Sequence, residues 1–120
     1  MAGLRILYVE DHAETRELME RLLRHNGHQV FTAGGARDAV AIAGREQLDL
    51  LITDIGLPDG DGCELLIELR KNRPALRAVA VTGHAIEELP ERCREAGFGA
   101  FVRKPVLFSE LLSAVDSLGA

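Results

Sequence analysis

Five times along its 120 residues the chain passes from a short run of aliphatic and β-branched residues to a longer run with apolar residues at helical spacing. The β-rich runs are RILYVE (5–10), HQVFTA (28–33), DLLIT (49–53), RAVAVT (77–82) and GAFVRK (99–104). Helical runs follow at 13–27, 36–47, 62–74, 88–97 and 108–118. Such alternation predicts parallel βαβ units with right-handed crossovers and helices on both faces of the sheet. The first strand is an unbroken apolar run, as expected where both faces are covered. No low-complexity tract, linker or repeat interrupts the pattern, and 120 residues suit one domain.

Local signals refine this outline. Gly27 is placed to end the first helix. Leu18, Leu22 and Leu23 are expected on its inner face, as are Ala36, Ala39, Val40 and Ala43 on the second helix. Leu65, Leu66 and Leu69 serve the third, which should stop before Pro74. Pro90 fits the first turn of the fourth helix, and Ser109 is a candidate N-cap for the fifth. Cys63 and Cys93 have no metal-ligand spacing and are expected to be free thiols packed in helices.

In a sheet of this kind, ligands sit beyond the carboxyl ends of the strands. The first strand ends at Glu10-Asp11, the third at Asp54, the fourth at Thr82-Gly83 and the fifth at Lys104-Pro105. With the first and third strands adjacent, three carboxylates would crowd one crevice. They would resist ionisation unless a cation joined them. The hard cation suited to carboxylate, carbonyl and water oxygens is Mg²⁺ first. Gly56 has no side chain, so its backbone carbonyl could come close to a metal. Lys104 contributes a flexible positive charge and Thr82 a hydroxyl donor. A carboxylate at Asp54, held by those groups, is equipped to attack a phosphoryl group and to hold the acyl phosphate that results.

The acid pair Glu10-Asp11, the DIGLPDGDG run from Asp54, Val81-Thr82-Gly83 and the FVRKP run from Phe101 to Pro105 together resemble the receiver domain of two-component response regulators. The resemblance spans roughly residues 4 to 118 of a single receiver domain, 1–120. It implies a flavodoxin-like α/β fold with strand order 2-1-3-4-5, the doubly wound topology general to such domains. It further implies that Asp54 accepts a phosphoryl group from a histidine kinase or histidine phosphotransfer protein. Glu10, Asp11, Asp54 and the Gly56 carbonyl would then serve Mg²⁺, and Thr82 and Lys104 would bind phosphoryl oxygens. Phe101 stands where the family has an aromatic switch residue, so the face of the fourth helix, fifth strand and fifth helix would carry the signal. The family is one of signalling domains rather than enzymes, though its members promote their own aspartyl phosphorylation and dephosphorylation.

Other readings stay open. A haloacid-dehalogenase-like phosphatase also uses an aspartate nucleophile, but it requires a second aspartate two positions on, where this chain has Gly56. A flavodoxin would need a hydroxyl-rich first loop, whereas Glu10-Asp11 would repel a flavin phosphate. A receiver-like interaction module that is never phosphorylated is a third reading. His84 could influence water access at the site, and His12 is expected at the surface. A net charge of −5 argues against direct nucleic-acid binding. No apolar run reaches the roughly 18 residues of a membrane span, and no signal peptide opens the chain. A cytoplasmic protein without membrane insertion is expected. The Thr-Gly-His run and EAGFGAFVRKP resemble receivers of hybrid sensor kinases, with a fused or a separate output partner.

Overall fold

The computed structural model describes residues 3–119. Its elements run β1 (Arg5–Val9), α1 (Ala13–His25), β2 (Gln29–Ala33), α2 (Ala36–Ala43), β3 (Leu50–Asp54), α3 (Gly62–Arg70), β4 (Arg77–Thr82), α4 (Glu91–Glu95), β5 (Ala100–Arg103) and α5 (Phe108–Gly119). The five strands form one parallel sheet in the order β2-β1-β3-β4-β5. This is the flavodoxin-like order expected from the sequence.

Strand periodicity divides the core into two layers. Ile6, Tyr8, Ile52, Val79 and Val81 face α1 and α5, where they meet Met19, Leu23, Leu111 and Val115. Leu7, Val9, Leu51 and Ala78 face the other way, against Ala39 of α2 and Leu65, Leu66 and Leu69 of α3. The central strands β1 and β3 therefore bury both faces, which explains why their sequences hardly alternate. A third, smaller cluster, Cys63, Leu89 and Cys93, lies under α4, with Ile55, Ala96, Phe98 and Phe101 packed against it.

Helix ends follow local chemistry. After α1, Gly27 adopts φ +93°, His28 N–H donates to the Leu23 carbonyl (3.2 Å) and Gly27 N–H to that of Arg24 (3.0 Å). This left-handed cap turns the chain directly into β2. Asp61 caps α3 by accepting from Glu64 N–H at 2.8 Å.

Several expectations are corrected. Leu18 and Val40 are exposed (46% and 41%), and Met19 and Ile42 are buried in their stead. Ser109 lies inside α5 rather than capping it; the Leu107 carbonyl accepts the N–H groups of Glu110 and Leu111. α4 is five residues long, preceded by a single 3₁₀ turn at Ile86–Glu88, and Pro90 occupies its N-cap. Cys63 and Cys93 are not free thiols: they are joined by a disulfide, their Cα atoms 5.1 Å apart. Thirty residues separate them in sequence, and only the packing of α4 on the start of α3 brings them together.

Candidate functional site

The carboxyl ends of β1, β3, β4 and β5 converge. Parallel pairing sets Val9 against Thr53 and Asp54 against Val81, so Glu10 and Asp54 emerge side by side. Both are 2% exposed, whereas Asp11 is exposed. Carboxylate oxygens of Glu10, Asp11 and Asp54 lie within 4.8 Å of one another. Lys104 reaches in from the loop after β5, with Nζ 3.1 Å from Asp54 Oδ2 and 3.8 Å from Glu10 Oε1. Its own N–H donates to the Thr82 carbonyl at 2.8 Å, which fixes the loop to the end of β4.

The electrostatics follow from this crowding. Burial, reinforced by the facing Glu10 carboxylate, lifts the Asp54 pKa to about 7, although the Lys104 ammonium pulls it down. Burial works against the charge on Lys104, but its bond to Asp54 and the fields of Asp54, Glu10 and Asp11 outweigh it and hold its pKa above the ordinary lysine range. Three carboxylates against one lysine leave an excess of negative charge. The donor set is all oxygen, as a hard cation requires, and ligands of one octahedral Mg²⁺ lie roughly 3 to 4 Å apart. A small closure of the three carboxylates meets that spacing, so the residues fit a divalent ion.

The loop after Asp54 is held at several points. Ile55 N–H donates to the Val81 carbonyl (3.0 Å), and Gly62 N–H donates to the Ile55 carbonyl (2.8 Å). A short antiparallel ladder pairs Gly56 with Asp61 and Leu57 with Gly60. Asp59 accepts from the N–H groups of Ala36 (2.7 Å) and Arg37 (3.0 Å), bonds that keep its carboxyl below the usual range and tie the loop to the start of α2. Gly62 sits so close to the end of β3 that a Cβ there would collide with the Asp54 carbonyl and the Thr53 side chain. The partners of these residues lie on other elements, so spacing along the chain does not reveal the ties.

Thr82 is 3% exposed and ends β4. Its Oγ1 accepts from His84 N–H at 3.0 Å, so its hydroxyl is engaged with the loop rather than with Asp54. The exposed His84 meets Thr82 through its backbone. Phe101 pairs in register with Ala80, two residues before Thr82, so Thr82 and Phe101 lie on one face of adjacent strands. The Phe98 and Phe101 rings pack at 5.8 Å between centroids. A cleft of about 500 Å³ opens between Gly56, Thr82, His84, Pro90 and Lys104. The His12 ring is exposed at the start of α1, where it caps Thr15 N–H at 3.4 Å, while its backbone N–H faces the Glu10 carboxylate.

The model of the response regulator receiver domain family matches residues 6–116. The chain is 32% identical over 120 residues to the sensory/regulatory protein RpfC of Xanthomonas campestris pv. campestris, covering 97% of this chain and 16% of that protein. The chain covers 90% of the length of one other curated relative but 45% and 11% of two more. Among solved structures, a CheY-like response regulator receiver domain protein from Methanospirillum hungatei JF-1 superposes with a TM-score of 0.88 at 33% identity, over 97% of this chain and 93% of that one. The response regulator protein TrrA from Thermotoga maritima, in complex with Mg(2+)-BeF, superposes at 0.83 with 29% identity, over 98% and 99% of the two chains. No helix among the described residues is long and apolar enough to cross a membrane.

Proposed function

Because this chain belongs to the response regulator receiver domain family, we propose that it works by accepting a phosphoryl group on Asp54 from a phosphohistidine donor. The observation that carries this reading is the buried Asp54 carboxylate, held 3.1 Å from Lys104 Nζ beside Glu10 and Asp11. Among the described residues, Asp54 is the one carboxylate within hydrogen-bond distance of Lys104, and it ends the central strand β3. The Mg(2+)-BeF complex of TrrA supports a like role for the cluster here.

In the transfer, a carboxylate oxygen of Asp54 attacks phosphorus as the donor's P–N bond breaks. The imidazole leaves and takes up a proton, and an acyl phosphate remains on Asp54. Lys104 ion-pairs with the carboxylate beforehand and with phosphoryl oxygens afterwards, which favours the ionised form of the nucleophile and orients it. Glu10, Asp11, Asp54 and the Gly56 carbonyl would hold Mg²⁺, which when bound neutralises charge on the transferring group. Buried Glu10 is oriented by His12 N–H, which donates to its Oε2 at 3.0 Å. After transfer, Thr82 Oγ1 exchanges its bond with His84 for one to the phosphoryl group. Its movement frees space on the Ala80 side of β4, and Phe101 turns inward. The surface of α4, β5 and α5 then changes shape.

The donor is a histidine kinase or a histidine phosphotransfer protein in the cytoplasm, and an output partner, fused or separate, reads the altered face. A haloacid-dehalogenase-like phosphatase is disfavoured by Gly56, which leaves no general acid two residues after the nucleophile. The deciding experiment is incubation with acetyl phosphate and Mg²⁺, followed by borohydride trapping and mass spectrometry. One labelled residue, Asp54, is expected; labelling that persists in Asp54→Asn overturns the assignment.

A further inference from the structure

Outside the carboxylate cleft, Cys63 and Cys93 are the one pair among the described residues already joined by a covalent cross-link. We propose that they form a thiol–disulfide modification site that sets how firmly α4 is held to α3. Resting on the phosphoacceptor reading above, the same bond limits how far the β5 face can follow events at Asp54.

Little else holds α4. The helix has five residues, Glu91–Glu95, and Cys93 is its only buried one. A helix this short has no stability of its own and depends on what it docks against. Cys93 is 1% exposed and Cys63 is 0% exposed, so the bond lies inside the seam. The apolar packing beside the bond is confined to a small cluster with Leu89, Ala96 and Phe98, and the polar ties lie nearer solvent. Arg92 pairs with Asp61 at 2.7 Å and with Glu64 at 3.5 Å, through a side chain that is 53% exposed. Arg70 donates to the carbonyls of Ala96 and Gly97 at 3.0 and 3.1 Å. Exposed pairs of the Arg92 kind contribute little. The disulfide is therefore the dominant restraint on α4.

Its position gives that restraint a consequence. Cys63 follows Gly62, whose N–H is bonded to the Ile55 carbonyl, one residue from Asp54. Cys93 shares its small cluster with Leu89, Phe98 and Phe101. The cross-link thus spans from the loop after Asp54 to the aromatic ring on β5. In a reducing compartment, disulfides that form are chiefly catalytic or redox-sensing. The reaction is an exchange with a dithiol: its thiolate attacks one sulfur, and the other leaves as a thiolate and takes up a proton. The second thiol of the reductant then resolves the mixed disulfide. The products are two cysteine thiols and the reductant's disulfide. Oxidation runs through glutathione disulfide: one cysteine thiolate attacks it and releases one glutathione, and the second cysteine thiolate then displaces the other glutathione from the mixed disulfide. Since both sulfurs are buried, α4 must lift before exchange occurs.

The test uses the wild-type chain without any phosphoryl donor. Protein equilibrated with glutathione disulfide or with dithiothreitol is quenched in acid, denatured and alkylated with N-ethylmaleimide. Mass spectrometry should find no added group in the first case and two in the second. Amide hydrogen exchange should then rise about tenfold or more at residues 91–96 on reduction, with β1 and β3 unchanged. Cys93→Ser should exchange like the reduced chain under both conditions. Two alkylatable thiols under glutathione disulfide, or equal exchange at 91–96 in both redox forms, overturns the proposal. A last arm adds beryllofluoride: shifts at Ala100–Arg103 should be larger in the reduced chain, and equal shifts defeat the regulatory half. The first two arms do not involve Asp54, so their outcome is separable from whether Asp54 accepts a phosphoryl group.

Discussion

Lys104 Nζ lies 3.1 Å from Asp54 Oδ2, joining the end of β5 to the end of β3 through a carboxylate that is only 2% exposed. The two residues are fifty positions apart in sequence. Removing the lysine would leave Asp54 and Glu10 buried against each other. Lys104→Met, which keeps the aliphatic stem, should lower stability by about 1–2 kcal/mol at pH 8, after allowance for the partial exposure of the ammonium. The loss should shrink at pH 5, where Asp54 is protonated. Urea denaturation at the two pH values checks this, and an equal loss at both would count against the pairing.

The raised pKa of Asp54 makes a signed prediction about pH. In the unfolded chain the carboxyl titrates near 3.8 and in the folded chain near 7. Between those values the folded state binds the extra proton, so this group's contribution to stability falls as pH rises from about 4 to 7 and is flat above. Asp54→Asn cannot ionise and should lack the slope. The metal-free variant should therefore be more stable than wild type at pH 8, with the gap closing towards pH 5. Denaturation curves of both proteins across that range, in chelator, provide the measurement.

Asp11 is the exposed member of the carboxylate cluster. A divalent ion that binds only the folded chain should stabilise it, by about 1–3 kcal/mol at saturating Mg²⁺. Asp11→Asn removes one charged oxygen and should weaken Mg²⁺ binding by roughly tenfold or more. Phosphorylation by acetyl phosphate should slow in step. Titration followed by NMR shifts or by Tyr8 fluorescence reads the affinity; identical curves for variant and wild type would remove the acid pair from the metal site.

At Gly62 the backbone meets the Asp54 carbonyl and the Thr53 side chain too closely for a Cβ. Gly62→Ala must displace the start of α3 or the loop after Asp54, at a cost of roughly 1–3 kcal/mol. Because α3 itself would accept alanine readily, a stabilised variant in thermal melts would show that this close approach does not exist.

Residues 5–10 and 49–53 announced themselves as buried strands because both faces of β1 and β3 are covered, so the pattern and the burial agree. The strand-end residues were legible for the same reason: a strand assignment fixes where its last side chain emerges. What failed was whatever depended on packing between distant segments. Leu18 fits a helical stripe, yet Met19 takes the inward position, since hydrophobic spacing alone does not fix the rotation of a helix whose neighbours on the sheet are unknown. The partners of Asp59 on α2 and of Asp61 on α4, like the Cys63–Cys93 bond, join segments whose proximity is set by docking rather than by local pattern. Even the shortness of α4 reflects context, because Pro90 before it and Gly97 after it, at φ +98°, bracket only one buried side chain.

Thr82 offers the sharpest test of how a change at Asp54 could reach a distant surface. Its hydroxyl accepts from His84 N–H at 3.0 Å, and it shares a face of adjacent strands with Phe101. On this route Oγ1 gives up the His84 bond as its hydroxyl turns towards a phosphoryl group on Asp54, which would release the loop leading into the Ile86–Glu88 turn and α4. Phe101 borders the small side chain of Ala80, so space vacated beside β4 would be open to its ring. Thr82→Ala should therefore still label at Asp54 but transmit little. With beryllofluoride and Mg²⁺, wild type should show backbone shift changes through residues 86–112, whereas Thr82→Ala should show them only around residues 54–62. The comparison should be made at fixed redox state, since the Cys63–Cys93 bond restrains the same helix. Changes confined to the loops around Asp54 in wild type, or a full response in Thr82→Ala, would rule out this route from Asp54 to α4 and β5.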